Sequence, residues 1–372
     1  MNHPALAFRN LRRRPARSVL TALGVALAVG SFITLYGLSR SVQENVQQSF
    51  EERGTDITVR RRGVAEPFGG TMPQTIIPEI AKIPGVAAVS GQLLSFAATD
   101  NDDHVLAFGW AADSFYWDTV PLLEGGLPKP DEPKAALIGK DIARTLDKHV
   151  GDDITLLGEK FHIVGVTNYS SIINRNAVIV ELADLQEVTF RSGAVTFISV
   201  KLDQPGDSGE ADRISNAIES LGQFMVTGSG GALQNDSLIG LLSAVSSAMA
   251  WIALLMGVLM VLNTLLMAVL ERTREIGILS AVGWSKQRIM GALVIEGFIL
   301  SALGSAAGIV IGVAGSRLLS AIPAIGRYIA VRPTPGLIAA TAVAAIILGI
   351  LGSLYPAWVA TRASPADALE RA

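Results

Sequence analysis

Residues 238–270 read LIGLLSAVSSAMAWIALLMGVLMVLNTLLMAVL, 33 consecutive positions from Leu238 to Leu270 without one charged side chain. A helix crosses a bilayer with roughly 20 apolar residues at about 1.5 Å each, so this stretch is a membrane span with turns to spare. The surplus predicts that part of it protrudes as helix beyond the lipid. Three further stretches meet the same requirement: about Ser18 to Leu38, about Ile289 to Gly315 and about Gly336 to Val359. All four are rich in Ala, Gly and Ser, which lets neighbouring helices approach closely.

Composition agrees with a membrane protein. Of 372 residues, 50% are hydrophobic, only 17% are charged and 37 are Gly, with a mean hydropathy of +0.43. Soluble chains carry nearer a quarter charged residues. The net charge of −3 conceals a split: residues 41–237 hold 28 acidic and 15 basic side chains, and the remainder 5 acidic and 15 basic. This pattern excludes a uniform soluble enzyme and a disordered chain. The absence of cysteine removes disulfides, thiolate metal sites and Cys nucleophiles.

Orientation follows from basic residues in short segments near the span ends. Arg9, Arg12, Arg13, Arg14 and Arg17 precede the first span, Arg272, Arg274, Lys286 and Arg288 follow the second, and Arg362 and Arg371 lie in the tail. The opposing short loop has Arg317, Arg327 and Arg332. The expected topology places both termini in the cytoplasm of a bacterium, with the chain multi-pass in its inner membrane. It runs as an amphipathic N-terminal segment 1–17, a first transmembrane helix 18–40 and an extracytoplasmic domain 41–237. A second helix with an outer stalk 238–270, a cytoplasmic loop 271–288 and a third helix 289–315 follow. An outer loop 316–335, a fourth helix 336–359 and a cytoplasmic tail 360–372 complete it. The first span is an anchor rather than a cleaved leader, because no A-x-A-like site follows it and its helix continues through Ser39 to Val46.

Between the first two spans, short strand-like and helical runs alternate, predicting an α+β domain. Asp56 to Arg60, Val86 to Val89 and His104 to Gly109 read as strands, and Pro78 to Ile83 as a short helix stopped by Pro84-Gly85. Ile154 to Leu157 and Lys160 to Val164 read as a hairpin about Gly158-Glu159, and Ile214 to Leu221 as a helix. About 190 residues suffice for a core of their own.

No catalytic constellation emerges. The four histidines lack metal-ligand spacing, and Asp102-Asp103-His104 reads as a solvated turn before a strand. Gly139-Lys140-Asp141 does not end a phosphate-binding loop, because Lys134 stands where the leading Gly belongs and Asp141 where Ser or Thr belongs. Arg60-Arg61-Arg62 is better read as a strand end than as an anion grip. Within the bilayer, Glu296 and Asn263 are the polar candidates. Glu296 either relays protons or ties helices through Arg288 or Ser301, and Asn263 reads as an interhelical hydrogen-bonding residue. Four spans with so few polar groups make a poor ion pathway.

The loop 271–288, ERTREIGILSAVGWSKQR, reads as a short amphipathic helix on which Ile276, Leu279 and Val282 share a face. Gly283 ends it by supplying a left-handed cap. Such a helix needs a partner, the lipid interface or burial against its own spans, and periodicity does not choose among these.

Glu271 to Ser285, followed by a span holding Glu296 and the Gly308–Gly312 pair, resembles the permease signature of the MacB/FtsX-like ABC transporters. The opening Leu11 to Gly24, the closing Tyr355 to Leu369 and the hairpin from Val150 through Val166 are similar to that family too. The resemblance implies a stand-alone permease subunit, without the ATPase domain fused in MacB itself. It would dimerise with a second permease copy and bind a cytoplasmic ABC ATPase subunit dimer. Glu271, Arg272, Arg274, Glu275, Ile276, Gly277, Leu279, Ala281, Val282 and Gly283 would form the coupling helix seated in the ATPase groove. ATP and Mg would bind the partner, leaving this chain without cofactor, metal or catalytic residue.

Movement would pass along long helices to the external domain, extruding a hydrophobic or amphipathic substrate by mechanotransmission. A periplasmic adaptor would imply tripartite efflux, membrane lipid is the other expected contact, and no nucleic acid is involved. The rival expectation is an FtsX-type signalling scaffold that activates an extracytoplasmic hydrolase.

Overall fold

The computed structural model describes residues 15–62, 70–99, 104–129, 132–228, 237–322, 326 and 331–362. Arg9, Arg12, Arg13, Arg14, Arg327, Arg371 and the Asp102-Asp103 pair lie outside them. The described residues fall into two compact units, one within Val42–Leu242 and one formed by the helices up to Ser41 and from Ser243 onward.

Helix α1, Pro15–Glu51, is unbroken over 37 residues. At about 1.5 Å per residue it is roughly 55 Å long, against about 30 Å of hydrocarbon. Its last turns are polar, with Gln47 donating to Glu51 at 2.7 Å and Gln48 to Glu52 at 3.3 Å, the i,i+4 pairing that supports a helix in water.

The external unit holds β1 (Ile57–Arg61), β2 (Met72–Pro73), α2 (Ile77–Ile80), β3 (Val86–Ala98), β4 (His104–Trp110), β5 (Leu122–Gly125) and β6 (Ala135–Gly139). It continues through α3 (Lys140–Leu146), β7 (Asp153–Leu156), β8 (Glu159–Thr167), α4 (Ile172–Arg175), β9 (Ala177–Glu181) and α5 (Leu182–Val188). The remainder is β10 (Ala194–Val195), β11 (Phe197–Leu202), α6 (Ser208–Ser220) and β12 (Phe224–Gly228). Ten strands form one mixed sheet in the order β12-β1-β11-β3-β4-β9-β6-β8-β5, with β7 on β8, while β10 and β2 pair separately. The β4/β9 and β6/β8 pairs are parallel.

Both faces of this sheet are covered. Along β4, Val105 and Ala107 enter one apolar cluster, and Leu106, Phe108 and Trp110 enter another. In β9, Val178 and Val180 face one way, Ala177 and Ile179 the other. Strands buried on both faces read as continuous apolar runs rather than alternations.

The β7–β8 hairpin closes through Leu157 (φ 52°) and Gly158 (φ 91°), with Leu156 opposite Glu159. Its tight two-residue turn sits one position earlier than the Gly158-Glu159 of the sequence reading. The predicted helix 78–83 is shortened to α2, whose chain then turns at Gly85 (φ 92°). Arg62 of the basic triplet pairs with Glu219 of α6 at 3.2 Å.

The second unit comprises α1 up to Ser41 with α7 (Ser237–Glu271) from Ser243 onward, α8 (Thr273–Ala281), α9 (Lys286–Ala321) and α10 (Pro335–Arg362). α1, α7, α9 and α10 are long and apolar enough to cross a membrane. Small residues set their packing. A Cβ placed on Gly304, Gly308 or Gly312 of α9 would come within 2.6, 2.6 and 2.8 Å of Val25, Val29 and Ile33 of α1. The Gly308–Gly312 pair is thus part of a four-residue repeat on which α1 lies. Thr21 meets Thr264 of α7 at 2.7 Å, and Thr34 donates to the Gly312 carbonyl at 3.2 Å. Arg17 pairs with Glu271 at one end of the bundle, while the Arg332 amide donates to Ser41 at 3.3 Å at the other.

Candidate functional site

The loop 271–288 begins where α7 stops at Glu271. One residue, Arg272 (φ −112°, ψ 15°), breaks the helix before α8 starts. The Thr273 hydroxyl donates to the Val269 and Leu270 carbonyls at 3.1 and 2.8 Å, satisfying the end of α7. Glu275 stands in the first turn of α8, where the helix dipole favours a carboxylate, and it is 3.2 Å from Arg272. At the far end Gly283 adopts φ 94°. The Gly283 amide donates to the Ser280 carbonyl and the Trp284 amide to that of Leu279, at 3.1 and 3.0 Å. This reciprocal closure is a Schellman cap, which the left-handed glycine makes accessible.

The faces of α8 differ from the sequence expectation. Ile276 is buried with Val269 of α7, Ile289 and Leu293 of α9, and Ala357 and Ala360 of α10, with Trp284 packed against the group. Gly277 is buried beside it. Ile276, Leu279 and Val282 therefore do not form one outward face: Ile276 is a peg into the protein's own bundle, Leu279 is half-buried and Val282 is 75% exposed. The outward face consists of Arg274, Glu275, Ile278, Ala281 and Val282, at helical spacing. Ile278, 48% exposed, was missed by an apolar periodicity of three anchored on Ile276; the i,i+4 spacing of Ile278 and Val282 was its available signal. Glu271 is held by Arg17, and Gly283 serves the cap.

The intramembrane candidates also separate. Glu296 is buried on α9, but the tie to Ser301 is not made, since the Ser301 hydroxyl finds no hydrogen-bond partner among the described residues. The guanidinium of Arg288 lies over the Trp284 ring at 5.2 Å. Asn263 makes no hydrogen bond to another helix among the described residues. It is exposed on α7, in a stripe with Met256, Leu259, Met260, Met267 and Leu270, all large and exposed.

Four membrane-crossing helices, a mixed α+β domain inserted after the first and a capped helix between the second and third define a multi-pass membrane protein with an extracytoplasmic insertion. Residues 18–220 match the family described as MacB-like periplasmic core domain, and residues 247–365 the FtsX-like permease C-terminal region. The chain belongs to this MacB-like family of ABC transporter permeases. It is 26% identical over 391 residues to the macrolide export ATP-binding/permease protein MacB of Brucella abortus, covering 98% of this chain and 59% of that protein's length. It is 24% identical over 388 residues to an uncharacterized ABC transporter permease of Methanocaldococcus jannaschii, covering 98% of this chain and 96% of that one. The crystallised periplasmic region of MacB from Actinobacillus actinomycetemcomitans superposes with a TM-score of 0.39 at 13% identity, over 48% of this chain and 92% of that one.

Proposed function

We propose that the chain is the non-catalytic permease subunit of an ABC transporter in a bacterial inner membrane, with both termini cytoplasmic. A separate ATPase subunit dimer, binding ATP and Mg, docks on α8. Its closure moves the helices, and the movement reaches the external domain to extrude a hydrophobic or amphipathic substrate by mechanotransmission. The observation that carries this reading is the outward face of α8, whose two apolar side chains, Ile278 and Val282, are flanked by Arg274 and Glu275 on a helix pegged to three membrane helices. Rigid pegging suits a helix that passes on force, and exposed apolar residues with a charged surround suit a protein groove.

A permease homodimer accompanies this reading. A side-chain amide exposed in hydrocarbon is costly unless hydrogen-bonded, and Asn263 on the apolar stripe of α7 is suited to pairing with a second copy. Export is preferred to the signalling scaffold because one relative similar over nearly the whole chain is named for macrolide export. Reconstitution with the ATPase subunit tests the reading. Ile278→Asp and Val282→Asp are expected to weaken subunit binding at least tenfold with the fold intact, and unimpaired binding and ATPase coupling in both would sink the docking assignment.

A further inference from the structure

Arg53, two residues beyond the end of α1, is only 1% exposed. Its guanidinium donates to four acceptors, none of them a carboxylate. Nε reaches the Ser49 backbone carbonyl at 2.9 Å, Nη1 the Gln92 side-chain oxygen at 2.8 Å, and Nη2 the Ser49 hydroxyl at 2.5 Å and the Asn174 side-chain oxygen Oδ1 at 3.0 Å. It also lies 4.3 Å from the centroid of the Phe108 ring. One side chain thus joins the last turn of α1 to β3, β4 and α4. Its neighbour Glu52 grips the same region: Oε1 accepts from the Ser170 and Ser171 amides at 3.0 and 2.8 Å, and Oε2 from Asn174 at 3.2 Å.

Burying a cation whose hydrogen-bond partners are all neutral is expensive even with the Glu52 carboxylate nearby, and well-packed apolar residues often replace buried charges without loss of stability. Mere cohesion does not call for arginine here. What a guanidinium supplies is a planar fork of donors that fixes several elements in one orientation. The covalent route from α1 to the sheet is a turn of five residues, 52–56, in which the Gly54 amide donates to the Glu51 carbonyl at 3.0 Å and Gly54 itself has φ 68°. Such a turn acts as a hinge if nothing else holds the helix end.

We propose that Arg53 is the positioning residue that locks the outer end of the first membrane helix to the external sheet, so that displacement of α1 moves β3 and α4 instead of being absorbed at Gly54. This rests on the mechanotransmission reading above and specifies where the force enters the external domain.

The chain has no cysteine, so introduced thiols label cleanly. Spin labels at the exposed positions of Glu44→Cys on α1 and Lys201→Cys on β11 report the helix-to-sheet distance in the full chain in nanodiscs, without any ATPase. Arg53→Met is expected to broaden that distance distribution at least twofold, and Arg53→Lys, which keeps the charge but loses the fork, to broaden it less. Gln92→Leu removes one acceptor with Arg53 in place. It serves if Arg53→Met does not fold, and should broaden the distribution detectably. An unchanged, narrow distribution in the folded variants overturns the proposal.

The second measurement places one label at Lys201→Cys in each copy of the dimer, with the ATPase subunit, ATP and vanadate. The nucleotide-driven shift in the inter-copy distance should disappear in Arg53→Met, while ATP hydrolysis stays within about twofold. A shift that persists in that variant overturns the proposal. If the chain with Arg53 intact shows no shift, the transport reading fails, and the helix-to-sheet distance still decides the role of Arg53.

Discussion

Arg17 and Glu271, 254 positions apart, form a two-pronged ion pair: Nη1 donates to Oε2 at 2.9 Å and Nη2 to Oε1 at 2.5 Å. The pair joins the first turn of α1 to the last residue of α7. It therefore holds the root of α8 to the start of α1.

Side chains about a third exposed hold such a pair less firmly than buried ones, so solvent screening limits it to about 1 kcal/mol. Glu271→Arg should lower the stability of the detergent-solubilised chain by that amount or somewhat more, since like charges then face each other. The double change Arg17→Glu with Glu271→Arg should restore most of it. Thermal unfolding of the four chains closes the cycle, and purely additive effects would mean that the two residues do not interact.

Ile276 and Ile278 should behave oppositely although they are two residues apart. Aspartate at 276 places a charge among Val269, Ile289 and Leu293 and should cost about 3 kcal/mol or more. Aspartate at 278 meets solvent and should change stability by less than about 0.5 kcal/mol. Chemical denaturation of both variants checks this, and equal losses would contradict the assignment of faces on α8.

Much of the architecture was legible in the sequence because bilayer physics is legible: the four spans rest on length and absence of charge, and both are local properties. The β7–β8 hairpin, to within one position of its turn, and the cap at Gly283 were legible for a similar reason, since glycine marks positive φ. Three features were not. Strands β6 and β9 are buried on both faces, so they lack the alternation that marks a strand. The inward direction of Ile276 depends on α9 and α10, far away in sequence. Arg53 looks in the sequence like one more charge in a polar segment, and only the meeting of Ser49, Gln92 and Asn174 gives it a role.

The α1–α9 contact yields a paired glycine test. On Gly308 even a methyl group would come within 2.6 Å of Val29 and 2.8 Å of the Ala26 carbonyl, and a backbone atom cannot yield. Gly308→Ala should cost about 1–3 kcal/mol through separation of the helices. A Cβ on Gly291, on the same helix, would meet no other element within 4 Å among the described residues. Gly291→Ala should be neutral or stabilising by up to about 1 kcal/mol, because alanine is the better helix former. Thermal unfolding ranks the two, and the reverse order would contradict the packing of α1 on the glycine repeat.

Tyr169 supplies a pH dependence with a definite sign. Its hydroxyl is buried in the external unit and finds no hydrogen-bond partner among the described residues. Burial pushes the phenol up to about 12 from the ordinary 10, the nearby Arg53 guanidinium opposing this without cancelling it. Between those two values the folded chain keeps a proton that the unfolded chain has released, so stability must fall as pH rises from about 10 to about 12. The slope attributable to this one group is about 1.4 kcal/mol per pH unit. Tyr169→Phe removes the titrating group and discards only an unsatisfied hydroxyl, so stability at pH 7 should be unchanged or slightly higher. Other groups titrate in the same window, so the readout is the difference between the two chains. The chain with Tyr169 should lose stability more steeply above pH 10 in denaturant unfolding, and parallel curves would show that the phenol is not held protonated by the fold.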